Sequence, residues 1–194
     1  YRATKKVAPT MLLADEVGLG KTIEAALILK ELRARKLVER VLILAPASLT
    51  IQWQGELAGK FNENFEVFDG NAVKHFGRGN KNAWQERDLV IASLPFASGK
   101  RQSEDIIAAG WDFIIVDEAH KVRRQKIGNS YKETAAYTLV NELKDLSSSR
   151  GLLLLTATPM QLNEYELYSL IELIEPGLYP TFNSYLEVSQ TLPQ

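Results

Sequence analysis

Five short apolar runs recur along the chain: "MLLA" (Met11 to Ala14), "VLILA" (Val41 to Ala45), "LVIA" (Leu89 to Ala92), "FIIV" (Phe113 to Val116) and "LLLL" (Leu152 to Leu155). None alternates apolar with polar residues, so each predicts a strand covered on both faces, as in a parallel sheet. Helical patterns lie between them. "TIEAALILKELRAR" is rich in helix formers with a wide apolar face, and "SLTIQWQGEL" spaces Leu49, Trp53 and Leu57 four apart. In "NEYELYSLIELIEP", Leu167, Leu170, Ile171 and Ile174 form an i, i+3, i+4, i+7 stripe, Asn163 and Glu166 resemble a capping box, and Pro176 marks the end. Strands alternating with helices through right-handed crossovers predict a doubly wound α/β sheet, whose ligands bind beyond the carboxyl ends of the strands. Directly after the five runs come "DEVGLGKT", "PASLT", "SLPF", "DEAH" and "TATP". The polar clusters are therefore expected along one edge of the sheet.

A chain of 194 residues, 45% hydrophobic and 24% charged, suits one soluble domain with a two- or three-layer core. It has no cysteine, hence neither a disulfide framework nor a Cys-based metal site, and an intracellular protein is the default expectation. No apolar run approaches the roughly 18 residues of a membrane span, so no membrane partner is expected. The opening "YRATKKVAPT" lacks an initiator Met and a signal-peptide pattern, and reads as part of something longer. A formal net charge of −1 argues against wrapping nucleic acid by bulk electrostatics, without excluding a local basic stripe. The densest basic cluster, "HKVRRQK" (His120 to Lys126), reads as a solvated loop. Asn71 to Glu86 is expected to be a loop or an insertion with a short helix, Lys121 to Thr134 a similar stretch, and the tail after Pro176 shows no sustained pattern.

In a phosphate loop, glycines let successive backbone N–H groups face the phosphates, and the following helix adds its positive dipole end. "GLGKT" supplies Gly18, Leu19 and Gly20, with Lys21 placed to reach the β- and γ-phosphates and Thr22 to put its hydroxyl on Mg²⁺. Asp15 stands where the general pattern has its first glycine, and is expected to hold the entry turn. The alternative is a tight strand-to-helix turn with an exposed lysine. Asp117 follows a buried strand directly, where a carboxylate is costly without a cation or hydrogen-bond partner. An acid there can hold Mg²⁺, and Glu118 can orient or deprotonate the attacking water. A helix N-cap and a first-turn acid are the plainer alternatives. His120 is expected to hydrogen-bond the cluster after "LLLL", through Thr156 and Thr158, whereas His75 reads as an ordinary loop histidine.

"DEVGLGKT", "LILAPASLTIQWQGEL", "LVIASLPF", "DEAH" and "LTATPMQLNEYEL" resemble, in order, motifs I, Ia, Ib, II and III of superfamily-two helicase-like ATPases. The resemblance is strongest to the Swi/Snf-related branch and, within it, to the bacterial RapA-like group, where Asp at the position of Asp15 is usual. It implies a three-layer RecA-like fold of the phosphate-loop NTPase class, with a central, mostly parallel sheet flanked by helices. Residues 1–194 would form one ATP-binding lobe, with the motif-bearing core at about 11–176 and the tail 177–194 leading towards a second lobe. On this resemblance, Lys21, Thr22, Asp117 and Glu118 keep the roles above, with ATP and Mg²⁺ as cofactors. Pro46, Ala47 and Ser48 resemble a motif touching a nucleic-acid backbone, Ser93 belongs to a second such motif, and Thr156, Ala157 and Thr158 resemble the element coupling nucleotide state to lobe movement. Gln52 is expected to face outward beside them, and Trp53 to lie on the core stripe. The implied partners are nucleic acid, duplex DNA before RNA, a second RecA-like lobe, and RNA polymerase or another protein–DNA complex. The implied location is cytoplasmic, nucleoid-associated in a bacterium. Nothing in the chain resembles the second lobe's motifs, including the arginine such enzymes bring to the γ-phosphate, so the lobe alone is expected to turn ATP over slowly or not at all. Two other classes fit less of the sequence: a nucleotide-binding scaffolding module without useful catalysis, and an unrelated phosphate-loop kinase or small NTPase.

Overall fold

The computed structural model describes residues 10–14, 20–79, 81–127, 130–146, 148–157 and 162–191. All five apolar runs are strands: β1 (Thr10–Ala14), β2 (Val41–Ala45), β4 (Leu89–Ser93), β5 (Phe113–Val116) and β8 (Gly151–Thr156), joined by a short β3 (Glu66–Phe68). They form one six-stranded sheet in the order β1-β8-β5-β2-β4-β3, with every neighbouring pair parallel.

Register explains why continuous apolar runs were required. Met11, Leu153, Ile115, Ile43, Ile91 and Val67 lie in one row across all six strands and pack into a single apolar cluster. The next row, Leu12, Leu154, Val116, Leu44, Ala92 and Phe68, packs into a second cluster on the opposite face. Successive strand residues point to opposite faces, so only a sequence apolar at every position satisfies both layers. The first face is covered by α1 (Lys21–Ala34) and α2 (Thr50–Phe61), through Ala25, Leu29, Trp53 and Leu57. The second is covered by α3 (Gly70–Phe76), α4 (Leu94–Ala97), α5 (Lys100–Ala109), α6 (Ala135–Lys144) and α7 (Glu164–Ile174). The result is the three-layer α/β architecture.

Two polar clusters lock the frame. Glu63, only 6% exposed, pairs with Lys30 and Arg33 of α1 at 2.9 and 3.0 Å, fixing the end of α2 against α1. At the amino ends of the strands, the Arg40 guanidinium donates to Asp88 Oδ1, the Gly110 carbonyl and the Trp84 carbonyl, while Asp112 accepts from the backbone N–H groups of Glu39 and Arg40. These bonds satisfy polar groups that burial would otherwise leave unpaired. They also hold the end of the sheet remote from the polar motifs.

Several expectations are corrected. Asn71 to Glu86 contains the expected short helix, α3, and beyond it a 3-10 turn at Ala83–Gln85 that buries Ala83 and Trp84 in the core, while most of the stretch stays at the surface. Within Lys121 to Thr134, β6 (Arg124–Ile127) and β7 (Ser130–Glu133) pair as an antiparallel hairpin. The basic cluster there is not a solvated patch: Arg123 pairs with Glu166 at 3.2 Å, and Arg124 is tied to Tyr137 and Glu172. The tail forms α8 (Phe182–Ser189), which packs the Phe182 and Tyr185 rings at a tilt against Tyr168 of α7. The stripe on α7 is rotated from its expected line. Tyr168, Ser169, Leu170 and Leu173 are buried, while Leu167, Ile171 and Ile174 lie at the rim.

Candidate nucleotide site and nucleic-acid edge

Because all six strands run the same way, the carboxyl ends of β1, β2, β4, β5 and β8 do lie at one edge. At the start of α1, Gly20 adopts the left-handed conformation, φ 87°, and its carbonyl accepts from the N–H groups of Ile23 and Glu24. Glycine takes that conformation without steric cost, so the chain turns from loop into helix within one residue. Lys21 and Thr22 are then the first two residues of a 14-residue helix, at its positive dipole end. Gly18, Leu19 and Asp15 lie outside the described residues.

Asp117 continues β5 by one position, its N–H donating to the Leu44 carbonyl at 2.8 Å. It shares strand parity with Phe113 and Ile115, whose side chains face the layer of α1 and α2. The carboxylate is therefore directed to the layer that carries Lys21 and Thr22. It is 9% exposed, and each oxygen has a donor: Oδ2 accepts from Trp53 Nε1 at 2.9 Å and Oδ1 from the Glu118 N–H at 2.9 Å. A carboxylate offers about four acceptor sites, so about two remain. β1 and β5 are separated by β8 alone, which spaces their ends by roughly 10 Å.

Glu118 has φ 52° and ψ 49°. A non-glycine residue in this region is uncommon and stores strain, a feature that clusters at functional sites. The turn breaks strand alternation and starts the 3-10 segment Ala119–Lys121. His120 Nδ1 lies 3.1 Å from Glu118 Oε2, without the alignment of a hydrogen bond. That contact differs from the threonine partners expected from the sequence. Of those, Thr156 is fully buried at the end of β8, Ala157 follows it half-buried, and Thr158 lies outside the described residues.

Along the same edge, Pro46 precedes a 3-10 turn, Ala47–Leu49, in which Ala47 and Ser48 are exposed. Gln52 faces outward as expected and donates to Glu56 Oε1. Ser93 caps α4, its hydroxyl accepting from the Phe96 N–H at 3.4 Å. Trp53 is 2% exposed on the core stripe, but its indole N–H also reaches the Asp117 carboxylate, 64 residues away. Sequence spacing predicted the burial; no local signal pointed to the hydrogen bond.

Among the described residues, no three His, Cys, Asp or Glu side chains gather to hold a metal ion. One buried carboxylate and one hydroxyl are hard oxygen donors, which fits a magnesium ion taking its other ligands from phosphate and water.

A parallel sheet with a glycine-led helix after one strand and a strained acidic turn two strands away defines a RecA-like lobe of the helicase-like ATPase class. Residues 2–191 match the family model of the SNF2-related domain, and the chain belongs to that family. It is 36% identical over 190 residues to the RNA polymerase-associated protein RapA of Actinobacillus pleuropneumoniae serotype 3 (strain JL03), covering 94% of this chain but 19% of that protein. The fold is similar to the Sulfolobus solfataricus SWI2/SNF2 ATPase core in complex with dsDNA, with a TM-score of 0.69, 21% identity, and coverage of 95% of this chain and 36% of that one. It is also similar to the Pyrococcus furiosus Hef helicase domain, with a TM-score of 0.64, 24% identity, and coverage of 85% and 33%. The chain thus spans about a fifth of the curated relative and about a third of each structural neighbour.

Proposed function

We infer that this chain is the ATP-binding lobe of a motor that moves on duplex nucleic acid and remodels protein complexes bound there. The observation that carries the reading is Asp117, a buried carboxylate at the strand edge, aimed at the helix layer that begins with Lys21 and Thr22. Lys21 neutralises the β- and γ-phosphates, and the helix amino end adds its dipole. Thr22 and Asp117 hold Mg²⁺, which supplies charge neutralisation at the transferred phosphoryl group. Glu118, lifted out of the strand plane by its left-handed backbone, orients the attacking water and accepts its proton. Ala47, Ser48 and Ser93 contact the nucleic-acid backbone through N–H and hydroxyl groups, and Gln52 extends that edge. Ala157 and Thr158 couple nucleotide state to a second RecA-like lobe, with Thr156 and His120 beside them. The relative's association with RNA polymerase makes a transcription complex the favoured target, in the cytoplasm.

Glu118→Gln, assayed in a protein carrying both lobes, is expected to retain ATP and Mg²⁺ binding while turnover falls by 10²-fold or more, the scale of lost general-base catalysis. Lys21→Ala is expected to abolish binding itself. Normal turnover in the first variant would remove Glu118 from the mechanism, and unaltered affinity in the second would sink the phosphate-loop assignment.

A further inference from the structure

Trp53 is more than a filler of the core. Its ring lies in the apolar cluster between α2 and the sheet with Leu57, Ile43 and Ile115, yet its one polar atom is directed at the sheet edge. The indole N–H is a donor only, with a single direction fixed by the ring plane. Buried packing fixes the ring, so the direction of the N–H is set by the core and not by solvent. At 2.9 Å from Asp117 Oδ2 it forms a charge-assisted bond in a site 9% exposed or less. The Glu118 N–H holds the other oxygen. Two donors on two oxygens fix the carboxylate plane, leaving the unused lone pairs in a set orientation.

We propose that Trp53 is a positioning residue for the metal-holding carboxylate, and that it ties Asp117 to the helix that directly follows the nucleic-acid motif. This rests on the reading of Asp117 given above. Groups that orient a metal ligand from behind are worth about 10- to 100-fold in metal affinity or activity when removed. Trp53 lies in the first turn of α2, five residues beyond Ser48, and α2 follows the 3-10 turn Ala47–Leu49 directly. A shift of that helix start on the nucleic acid is therefore delivered to Asp117 through one rigid ring. A core tryptophan whose N–H had been satisfied by a nearby carbonyl would do neither. Trp111 is such a residue: fully buried, its Nε1 donates to the Ile106 carbonyl at 3.0 Å, at the remote end of the sheet.

That contrast provides the test. Binding of a fluorescent ATP analogue is titrated with Mg²⁺ in the wild type, Trp53→Phe, Trp111→Phe and Asp117→Asn. Trp53→Phe keeps an aromatic ring and removes the N–H; it is expected to raise the Mg²⁺ concentration at half-saturation about tenfold, while Trp111→Phe leaves it unchanged. Equal Mg²⁺ dependence in the two Phe variants would overturn the proposal. If Asp117→Asn also leaves the Mg²⁺ dependence unmoved, the nucleotide-site reading fails first, and the two failures are told apart. A second readout needs no change at Trp53. The chain has three tryptophans, giving three indole N–H cross-peaks in a ¹⁵N spectrum. Asp117→Asn is expected to displace the Trp53 peak and leave those of Trp84 and Trp111 in place; no displacement would refute the hydrogen bond.

Discussion

Arg124 shows how one side chain can bind four elements together. Its guanidinium donates to the Tyr137 hydroxyl on α6 at 2.7 Å and to Glu172 on α7, lies within 3.7 Å of Glu133 on β7, and sits 4.9 Å above the Tyr137 ring. Burial works against its charge, but the hydrogen bonds it donates to Tyr137 and Tyr165 and the nearby Glu172 outweigh that and hold the guanidinium above its ordinary value. The segment leaving the acidic turn is thereby fastened to the helix that follows "TATP". Arg124→Met keeps the stem packing and removes the charge. It is expected to cost on the order of 1–2 kcal/mol, below the figure for a fully buried pair, because Glu172 is 34% exposed and can rehydrate. Urea midpoints check this, and Glu172→Gln in the Arg124→Met background should recover part of the loss. A change under about 0.5 kcal/mol, the ordinary range for surface substitutions, would mark the network as inert.

Two helices of the second face, and α8 packed on α7, carry three tyrosines whose pKa values are raised, chiefly by burial: Tyr137 on α6, Tyr168 on α7 and Tyr185 on α8. Tyrosine ordinarily ionises near pH 10. Below that, the buried phenols are neutral in both folded and unfolded chains, and their contribution to stability is fully present. As pH rises past about 10 the unfolded chain loses protons first, so stability falls until the raised folded values are passed. Denaturant unfolding at pH 8 and pH 11 should show this loss, and Tyr168→Phe should reduce it; an unchanged alkaline loss would assign it to other groups. Legibility in the sequence divides at this same scale. The capping box of α7 was readable because it is local: Asn163 Oδ1 accepts from the Glu166 N–H, and Glu166 Oε2 from the Asn163 N–H, within four residues. The strands were readable because parallel burial demands apolar residues at every position. The β6–β7 hairpin and the placement of Trp84 were not, since polar residues there are satisfied by distant partners, such as Gln102 for the Trp84 indole. Trp53 is the same case within the candidate site: its spacing gave the face of the helix, and only the fold brought Asp117 to its N–H.

For the molecule as a whole, charge is spent internally. At least ten of the 23 lysine and arginine side chains lie in ion pairs with carboxylates, and the net charge is −1. The residues proposed to meet nucleic acid, Pro46, Ala47, Ser48, Gln52 and Ser93, carry no charge. A surface of this kind holds a phosphate backbone with hydroxyls and peptide N–H groups, which release few counterions. Each phosphate neutralised contributes about −0.9 to the slope of log K against log salt on duplex DNA. With three or fewer such contacts, the slope for this chain should be no steeper than roughly −3. Fluorescence anisotropy of a labelled duplex across a salt series measures it directly. A slope of roughly −6 or steeper would mean that a basic stripe, and not the uncharged edge after β2 and β4, carries the contact, and would move the track to another face of the lobe.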